Sequence, residues 1–172
     1  KMKIRETSCA SILTRASGYL RGVCSHSLNP YVGCGYGNSS CGEGCYVRFN
    51  QWLLRGRQWG SFVDVKVNAD KVYYKTVQAE RLWASRSGIP FSIFFSSSTD
   101  PWQPVERKFR VTHRVLNAML EEVPDILILQ THSSMILEDM KCIVALDQLC
   151  DLRVHISIEG DQDSLPGLPL PP

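Results

Sequence analysis

Three cysteines in one glycine-rich stretch have the residue type and the spacing for metal chemistry. Cys34, Cys41 and Cys45 lie within twelve positions, with six residues between the first two and three between the last two. Five glycines share the stretch: Gly33, Gly35, Gly37, Gly42 and Gly44. Glycine lets a chain bend sharply, so that several thiolates can surround one object. Thiolates bind zinc and iron–sulfur clusters, and the stretch therefore predicts a metal centre.

The type of metal centre is open at this point. The cysteine spacing alone is compatible with an iron–sulfur cluster, with a structural zinc site that takes His26 as a fourth ligand, or with no metal. The chain has seven cysteines, an odd number, and the other four are scattered along it. This distribution favours a reducing compartment over a disulfide framework, and the scattered cysteines are expected to be small buried apolar residues.

The composition indicates one domain that spans residues 1–172. A hydrophobic content of 44% and a charged content of 21% are typical of a globular chain, and a net charge of +2 gives no argument for nucleic acid or membrane. No apolar run approaches the roughly 18 residues of a spanning helix, and the first residues lack the apolar segment of a secretory signal. A cytoplasmic location without a membrane partner is therefore expected.

Alternating strands and helices are predicted to position the cysteine stretch. Residues 1–25 are expected to form an irregular N-terminal segment, and an extended piece follows at 25–29. A short helix is expected at 46–54 and a strand at 61–68. Beyond them lie predicted strands at 90–97, 125–131 and 153–159, and predicted helices at 69–87, 104–122 and 136–150. This pattern predicts an α/β fold with a parallel sheet, either doubly wound or partly closed into a β/α barrel.

The last predicted strand favours the barrel. It alternates between an apolar set and a polar set: Val154, Ile156 and Ile158 against Arg153, His155, Ser157 and Glu159. A polar face on a parallel strand is unusual unless it lines the mouth of a barrel. Residues 161–172 are rich in proline and are predicted to form a loop or tail. Because the chain ends there, the barrel is expected to be truncated after its fourth strand.

Polar segments follow the predicted strands, namely Ser96–Asp100, Thr131–Ser134 and Ser157–Gly160. The carboxyl ends of parallel strands meet at one edge of the sheet, where β/α proteins place their ligand sites. We therefore expect these segments and the cysteine stretch to converge on one site. Helix capping and turn formation before Pro101 are the alternative role for the first of these segments.

Four segments of the chain occur together in one order, namely SLNPYVGC at 27–34, FVDVKVN at 62–68, STDPWQPVE at 98–106 and LQTHS at 129–133. Together they resemble the radical S-adenosylmethionine (SAM) superfamily, and within it the group similar to spore photoproduct lyase. The resemblance covers roughly residues 25–160. It implies a partial, TIM-like β/α barrel with a 4Fe-4S cluster that has one iron open for SAM. It also implies reductive cleavage of SAM to a 5'-deoxyadenosyl radical that abstracts hydrogen from a substrate.

The resemblance implies roles for individual residues. Cys34, Cys41 and Cys45 are the expected cluster ligands, at a wider spacing than is usual in the superfamily. The expected SAM-binding residues are Tyr36, Tyr46, Ser97, Ser98, Thr99, Asp100, His132, Ser157 and Glu159. One of the two tyrosines would replace the aromatic residue that commonly precedes the last cysteine. The expected partners are a reductant such as flavodoxin or ferredoxin and an unknown substrate, for which a DNA photolesion is one candidate.

A second class of function is also compatible with the residues. A non-catalytic binding module stabilised by zinc or by an iron–sulfur centre would need the cysteines but no radical chemistry. The predicted helix at 104–122 carries four basic residues: Arg107, Lys108, Arg110 and Arg114. We interpret them as a solvated outer face rather than as a DNA-binding patch.

Overall fold

The computed structural model describes residues 2–161, 164 and 166–172 and has a mixed α/β fold. Its strands are β1 (Lys3–Thr7), β2 (Leu13–Arg15), β3 (His26–Leu28), β4 (Tyr31–Val32), β5 (Phe62–Lys66), β6 (Ser92–Phe95), β7 (Ile126–Thr131) and β8 (Asp151–Ile156). Its α-helices are α1 (Ser40–Gly44), α2 (Gln51–Leu54), α3 (Ala69–Arg86), α4 (Glu106–Phe109), α5 (Val111–Glu121) and α6 (Met140–Asp147). Short 3-10 helices lie at Gly18–Gly22, Tyr46–Phe49 and Ser134–Asp139. Positions 162, 163 and 165 of the predicted proline-rich loop lie outside the described residues.

The larger sheet has five strands in the order β2-β3-β6-β7-β8. The last four are parallel and stand in chain order, with α3, then α4 and α5, then α6 in the connections between them. Doubly wound sheets differ because their strand order reverses at a switch point. The predicted α/β class is confirmed, and within the described residues the sheet does not close, since β2 and β8 form its two ends.

The core lies between this sheet and the helices that pack on it. The apolar runs of β6 and β7 bury both faces of the sheet, as parallel strands do, and Phe95 and Leu127 are fully enclosed. Helix α3 contributes Val77, and α5 contributes Leu116 and Met119, because each helix carries one apolar stripe.

A second sheet, in the order β1-β5-β4, uses the N-terminal residues. The prediction that 1–25 would be irregular is wrong, because β1 pairs in parallel with β5 and β2 pairs antiparallel with β3. The guanidinium of Arg5 binds both carboxylate oxygens of Asp64 at 3.0 Å, which holds β1 in register. The predicted strand at 61–68 therefore forms, but it lies outside the larger sheet.

Two predicted helices are broken at identifiable points. Within 104–122 the break is at Arg110, whose φ of 50° is left-handed. The buried carboxylate of Glu106 accepts hydrogen bonds from the backbone N–H groups of Thr112 and His113 and so caps α5. Within 46–54 the break is at Asn50, whose side chain accepts from the N–H of Leu53. Both breaks follow from local acceptors that satisfy a new helix start.

The strand β8 is exposed on both faces. Val154 and Ile156 are 42% and 55% exposed, and Ile158, beyond the strand, is 79% exposed. His155, which belongs to the polar set expected to line the mouth of a barrel, is exposed as well. The side chains of Ser157 and Glu159, just beyond the strand, are half-buried. Within the part of the chain that the structure describes, none of the helices combines the length and apolar character that crossing a membrane requires.

Candidate functional site

A cavity of about 420 Å³ lies at the carboxyl ends of β6, β7 and β8. The residues 33–46, called the cysteine loop below, form its opposite wall. All predicted site residues except Ser157 line this cavity: Cys34, Cys41, Cys45, Tyr36, Tyr46, Ser97, Ser98, Thr99, Asp100, His132 and Glu159. Ser157 lines an adjoining cavity of about 180 Å³ that shares His132 and Glu159 with the first. The ends of these strands and the three cysteines therefore lie around one cavity, as expected.

The cysteine loop is compact because its glycines allow close backbone contacts. A Cβ atom on Gly42 would lie 2.2 Å from the carbonyl oxygen of Gly37, and one on Gly37 would lie 2.5 Å from the Cα of Gly60. Gly42 belongs to α1, the short helix that carries Cys41 and is followed by Cys45. Side chains at these positions would separate segments that now touch. Gly44 differs, since a Cβ there meets nothing within 4 Å.

The substitution Gly42→Ala is expected to loosen the cysteine loop, whereas Gly44→Ala is its matched control. Forcing a methyl group against the Gly37 carbonyl requires a backbone shift and is expected to cost about 1–3 kcal/mol of unfolding free energy. At Gly44 the change is expected to be neutral or slightly stabilising, because alanine restricts the unfolded chain. Urea unfolding of both variants measures the difference, and equal stability of the two would contradict the packing described here.

The segment after β6 holds the cysteine loop in place through hydrogen bonds. The Thr99 hydroxyl donates to the carbonyl of Gly33 at 2.7 Å, and the Gln103 amide donates to Thr99 at 2.8 Å. The Gln103 carbonyl oxygen accepts from the Gly35 N–H at 2.7 Å. In this structure the side chain of Thr99 thus bonds to the protein itself, although its residue lines the cavity.

The side chain of Asn29 holds Ser97 and Ser98 in place through hydrogen bonds. Its side-chain oxygen accepts from the N–H and the hydroxyl of Ser98, both at 3.0 Å, and its amide donates to the Ser97 hydroxyl at 3.3 Å. The backbone carbonyl of Asn29 accepts from Lys66 Nζ at 2.7 Å. Burial lowers the pKa of Lys66. The segments 27–34, 62–68 and 98–106 therefore meet at one residue.

Asp100 connects the ends of β6 and β7. Its buried carboxylate accepts from the Thr131 hydroxyl through Oδ1 at 2.7 Å and from the His132 N–H through Oδ2 at 2.8 Å, and Oδ2 also lies 3.4 Å from His132 Nδ1. The other ring nitrogen, Nε2, lies 2.8 Å from Glu159. Hydrogen bonds to Asp100 and Cys41 raise the pKa of His132 to about 10. The imidazole is thus fixed between two carboxylates.

The cysteine side chains differ in burial. Burial raises the pKa of the Cys34 thiol to about 12 and raises the pKa of Cys45 as well. Among the described residues, the metal-ligating atoms that lie within 4.8 Å of one another belong to Cys41, His132 and Glu159, and the three cysteine sulfurs do not form such a group. Tetrahedral Zn–S bonds of about 2.3 Å would hold two sulfurs about 3.8 Å apart. The three sulfurs are therefore too far apart to share one zinc ion as they stand.

Three residues that line the cavity carry buried polar atoms without a partner in the described part of the chain, and none of the three was among the individually predicted site residues. The Ser96 hydroxyl, the Trp59 indole N–H and the Ser40 hydroxyl are buried without a hydrogen-bond partner among the described residues, and all three residues line the cavity. Ser96 has a φ of 69°, in the left-handed region. Ser96 belongs to the segment Ser96–Asp100 that was expected at the site, whereas no sequence pattern indicated Trp59.

Two tyrosines line the cavity on the side of the cysteine loop. The Tyr46 hydroxyl donates to the backbone carbonyl of Ser97 and lies 3.2 Å from the Tyr19 hydroxyl. The Tyr36 hydroxyl donates to the carbonyl of Trp102 at 3.3 Å. Both tyrosines thus connect the cysteine loop to other parts of the chain.

Two of the four basic residues of the segment 104–122 form intramolecular contacts. Arg110 binds Glu138 at 2.8 Å and Asp139 at 3.3 Å, and Arg114 donates to the carbonyl of Val67 at 3.0 Å. These contacts agree with a solvated outer face, since the two guanidinium groups are already paired with other residues.

An uncharacterized protein of Methanocaldococcus jannaschii is 32% identical to this chain over 115 residues, which are 66% of this chain and 37% of that protein. The chain thus spans little more than a third of the length of this relative. No family model matches the chain, and no solved structure matches it.

Proposed function

We propose that this chain forms part of the core of a radical SAM enzyme, with a 4Fe-4S cluster and SAM in the 420 Å³ cavity. The observation that carries the proposal is the convergence of Cys34, Cys41 and Cys45 with the ends of three parallel strands. The chain order of β3, β6, β7 and β8 supports a partial, TIM-like barrel as the finer description of the fold.

The residues present fit the two groups in chemistry and in size. Thiolates are the protein ligands of iron–sulfur clusters, and each would bind a different iron, so that separated sulfurs are appropriate. Ser96 and Trp59 line the cavity, and a small movement of their side chains would let the buried, unpartnered hydroxyl and indole N–H donate to an occupant with acceptor atoms. The cavity volume lies within the roughly 300–1,000 Å³ of small-molecule sites.

The chain's own residues would bind, orient and enclose these groups. When bound, the cluster and SAM supply reductive cleavage of a carbon–sulfur bond and a 5'-deoxyadenosyl radical for hydrogen abstraction. Cys34 must lose its proton to bind iron, and because burial raises the pKa of this thiol to about 12, binding releases a proton near neutral pH. Asp100 orients His132, while Glu159 supplies a carboxylate at the opposite side of the ring. Tyr36 and Tyr46 line the cavity and would pack against a bound occupant.

The proposal also includes the partners, the location and the substrate of the enzyme. A reductant such as flavodoxin or ferredoxin would supply the electron, and the cytoplasm would supply the reducing environment. DNA with a photolesion is the narrower substrate proposal, and it rests on the resemblance of the four segments to spore photoproduct lyase-like sequences. Another substrate is equally compatible with the cavity, because radical SAM cores are shared by many reactions.

Anaerobic reconstitution of the chain with iron and sulfide tests the proposal. The expected result is a brown protein with about four iron atoms per chain, bleached by dithionite, that converts SAM to 5'-deoxyadenosine and methionine. Cleavage is measured by mass spectrometry of the nucleoside product. Stable metal binding without any SAM cleavage would instead indicate the non-catalytic binding module. Irradiated DNA oligonucleotides, added to the active preparation, separate the DNA proposal from the general one.

A further inference from the structure

We propose that Cys41, His132 and Glu159 form a site for one divalent transition metal ion such as Zn²⁺, which lies at the cavity and is an alternative to the cluster. Their donor atoms lie within 4.8 Å of one another in the absence of any ion. Zinc bound by sulfur, nitrogen and oxygen at about 2.0–2.3 Å in a tetrahedron needs these atoms about 3.3–3.8 Å apart. Side-chain movements of the order of 1 Å therefore complete the site.

The three donors come from three different parts of the fold. Cys41 lies in α1, His132 follows β7 and Glu159 follows β8, so tertiary structure alone brings them together. All three are half-buried, and the His132 and Glu159 side chains are each 21% exposed. Solvent can therefore deliver an ion to the site, and the cavity leaves room for water as a fourth ligand.

The surroundings of His132 are those of a metal-binding histidine. Asp100 lies 3.4 Å from Nδ1, on the side of the ring away from Nε2, and Nε2 lies 2.8 Å from a carboxylate oxygen of Glu159. A carboxylate behind a ligating imidazole fixes its tautomer and raises its affinity for metal. Asp100 is itself held by the Thr131 hydroxyl and by the His132 N–H, so the ring has a rigid support.

The charge and the donor types select the class of ion. Two carboxylates and a thiol converge here, and neither cavity has a lysine or an arginine among its described lining residues. A cation is therefore favoured by the local field. Sulfur and imidazole ligands suit zinc and iron(II), whereas magnesium and calcium prefer oxygen ligands alone.

The site shares one ligand with the proposed cluster. Because Cys41 belongs to both sets of ligands, occupancy by a single ion and occupancy by a cluster exclude each other; this consequence rests on the proposed function. The metal site itself does not, since it needs neither Cys34 nor Cys45. Substitutions at Cys34 and Cys45 can therefore separate the binding of a single ion from the binding of a cluster.

The test is a Zn²⁺ titration of the metal-free, reduced chain in competition with a chromogenic chelator. We expect one ion per chain, and we expect C41S, H132Q and E159Q each to lower the affinity at least about tenfold, since loss even of a residue that supports a metal ligand typically costs 10–100-fold. C34A and C45A are the matched controls and are expected to bind zinc as the unchanged chain does. Circular dichroism confirms that each variant is folded.

Cobalt(II) supplies a second readout that does not depend on affinity. One sulfur ligand is expected to give a thiolate-to-cobalt charge-transfer band that disappears in C41S and persists in C34A. The proposal is overturned if the unchanged chain binds no zinc, or if C34A and H132Q weaken binding equally. The second of these results would mean that zinc binding depends on Cys34 as much as on His132, contrary to the three-ligand site. Neither result bears on SAM cleavage, so the failure of this proposal and of the proposed function can be told apart.

Discussion

Glu106→Ala is expected to destabilise the chain by about 3–4 kcal/mol, a large share of the roughly 5–15 kcal/mol that holds a domain folded. The Glu106 side chain is fully buried and accepts hydrogen bonds from the Tyr31 hydroxyl and from the backbone N–H groups of Thr112 and His113. Alanine removes the acceptor for all three donors at once. Each would remain buried without a partner, and α5 would lose its N-terminal cap.

Two further variants distinguish this network from a simple loss of volume. Tyr31→Phe removes one donor and leaves the cap of α5 intact, so its cost is expected to be about 1 kcal/mol. Glu106→Gln retains the shape and one acceptor oxygen, and its cost is expected to lie between the other two. Urea unfolding measures all three variants. Equal stability of Glu106→Ala and Tyr31→Phe would contradict the claim that Glu106 serves all three donors and caps α5.

The same residue gives a pH dependence with a definite sign. Burial raises the pKa of Glu106 above its ordinary value of 4.5, and the nearby Asp139 adds to the effect. Between 4.5 and the raised pKa the folded state binds more protons than the unfolded state, so this residue makes stability fall as pH rises through that window. Below 4.5 both states are protonated and the contribution is constant. The difference in unfolding free energy between the unchanged chain and Glu106→Gln, measured against pH, isolates this slope.

The larger sheet could be predicted because the residue patterns that indicate its strands and helices are local in the sequence. The strands β6 and β7 are short apolar runs, and helices of recognisable period separate them, so the alternation alone indicates parallel strands. The strands β1 and β2 gave no such signal, since β1 is almost entirely exposed and β2 has only three residues. Both form because the backbones of β5 and β3 offer free edges, which no local pattern records.

The position of the candidate site could be predicted, but the bonds that support it could not. The rule that parallel strands end at one edge placed Asp100, His132 and Glu159 together. The contacts that hold them join residues far apart in the chain: Asn29 bonds to Ser98 and Gln103 bonds to Gly35. Such pairings depend on the final fold. For the same reason the unpartnered Ser96 hydroxyl could be recognised only in three dimensions.

Loss of the proposed cluster is the effect expected from replacing any one of the three cysteines of the cysteine loop with alanine. If each thiolate binds one iron, removal of one leaves that iron without a protein ligand and exposes the cluster to solvent and loss. C34A, C41A and C45A are each expected to retain less than about a tenth of the iron that the reconstituted chain binds. Iron and sulfide analysis after desalting measures the retention.

Cys24 supplies a control of matched burial. It is 6% exposed, as Cys34 is, but it lines neither cavity. C24A therefore loses a buried sulfur of the same size, with a comparable cost in packing, while it leaves the cysteine loop unchanged. It is expected to keep its full iron content. Equal loss of iron in C24A and C34A would mean that weakened packing releases the metal, and the assignment of Cys34 as a ligand would then fail.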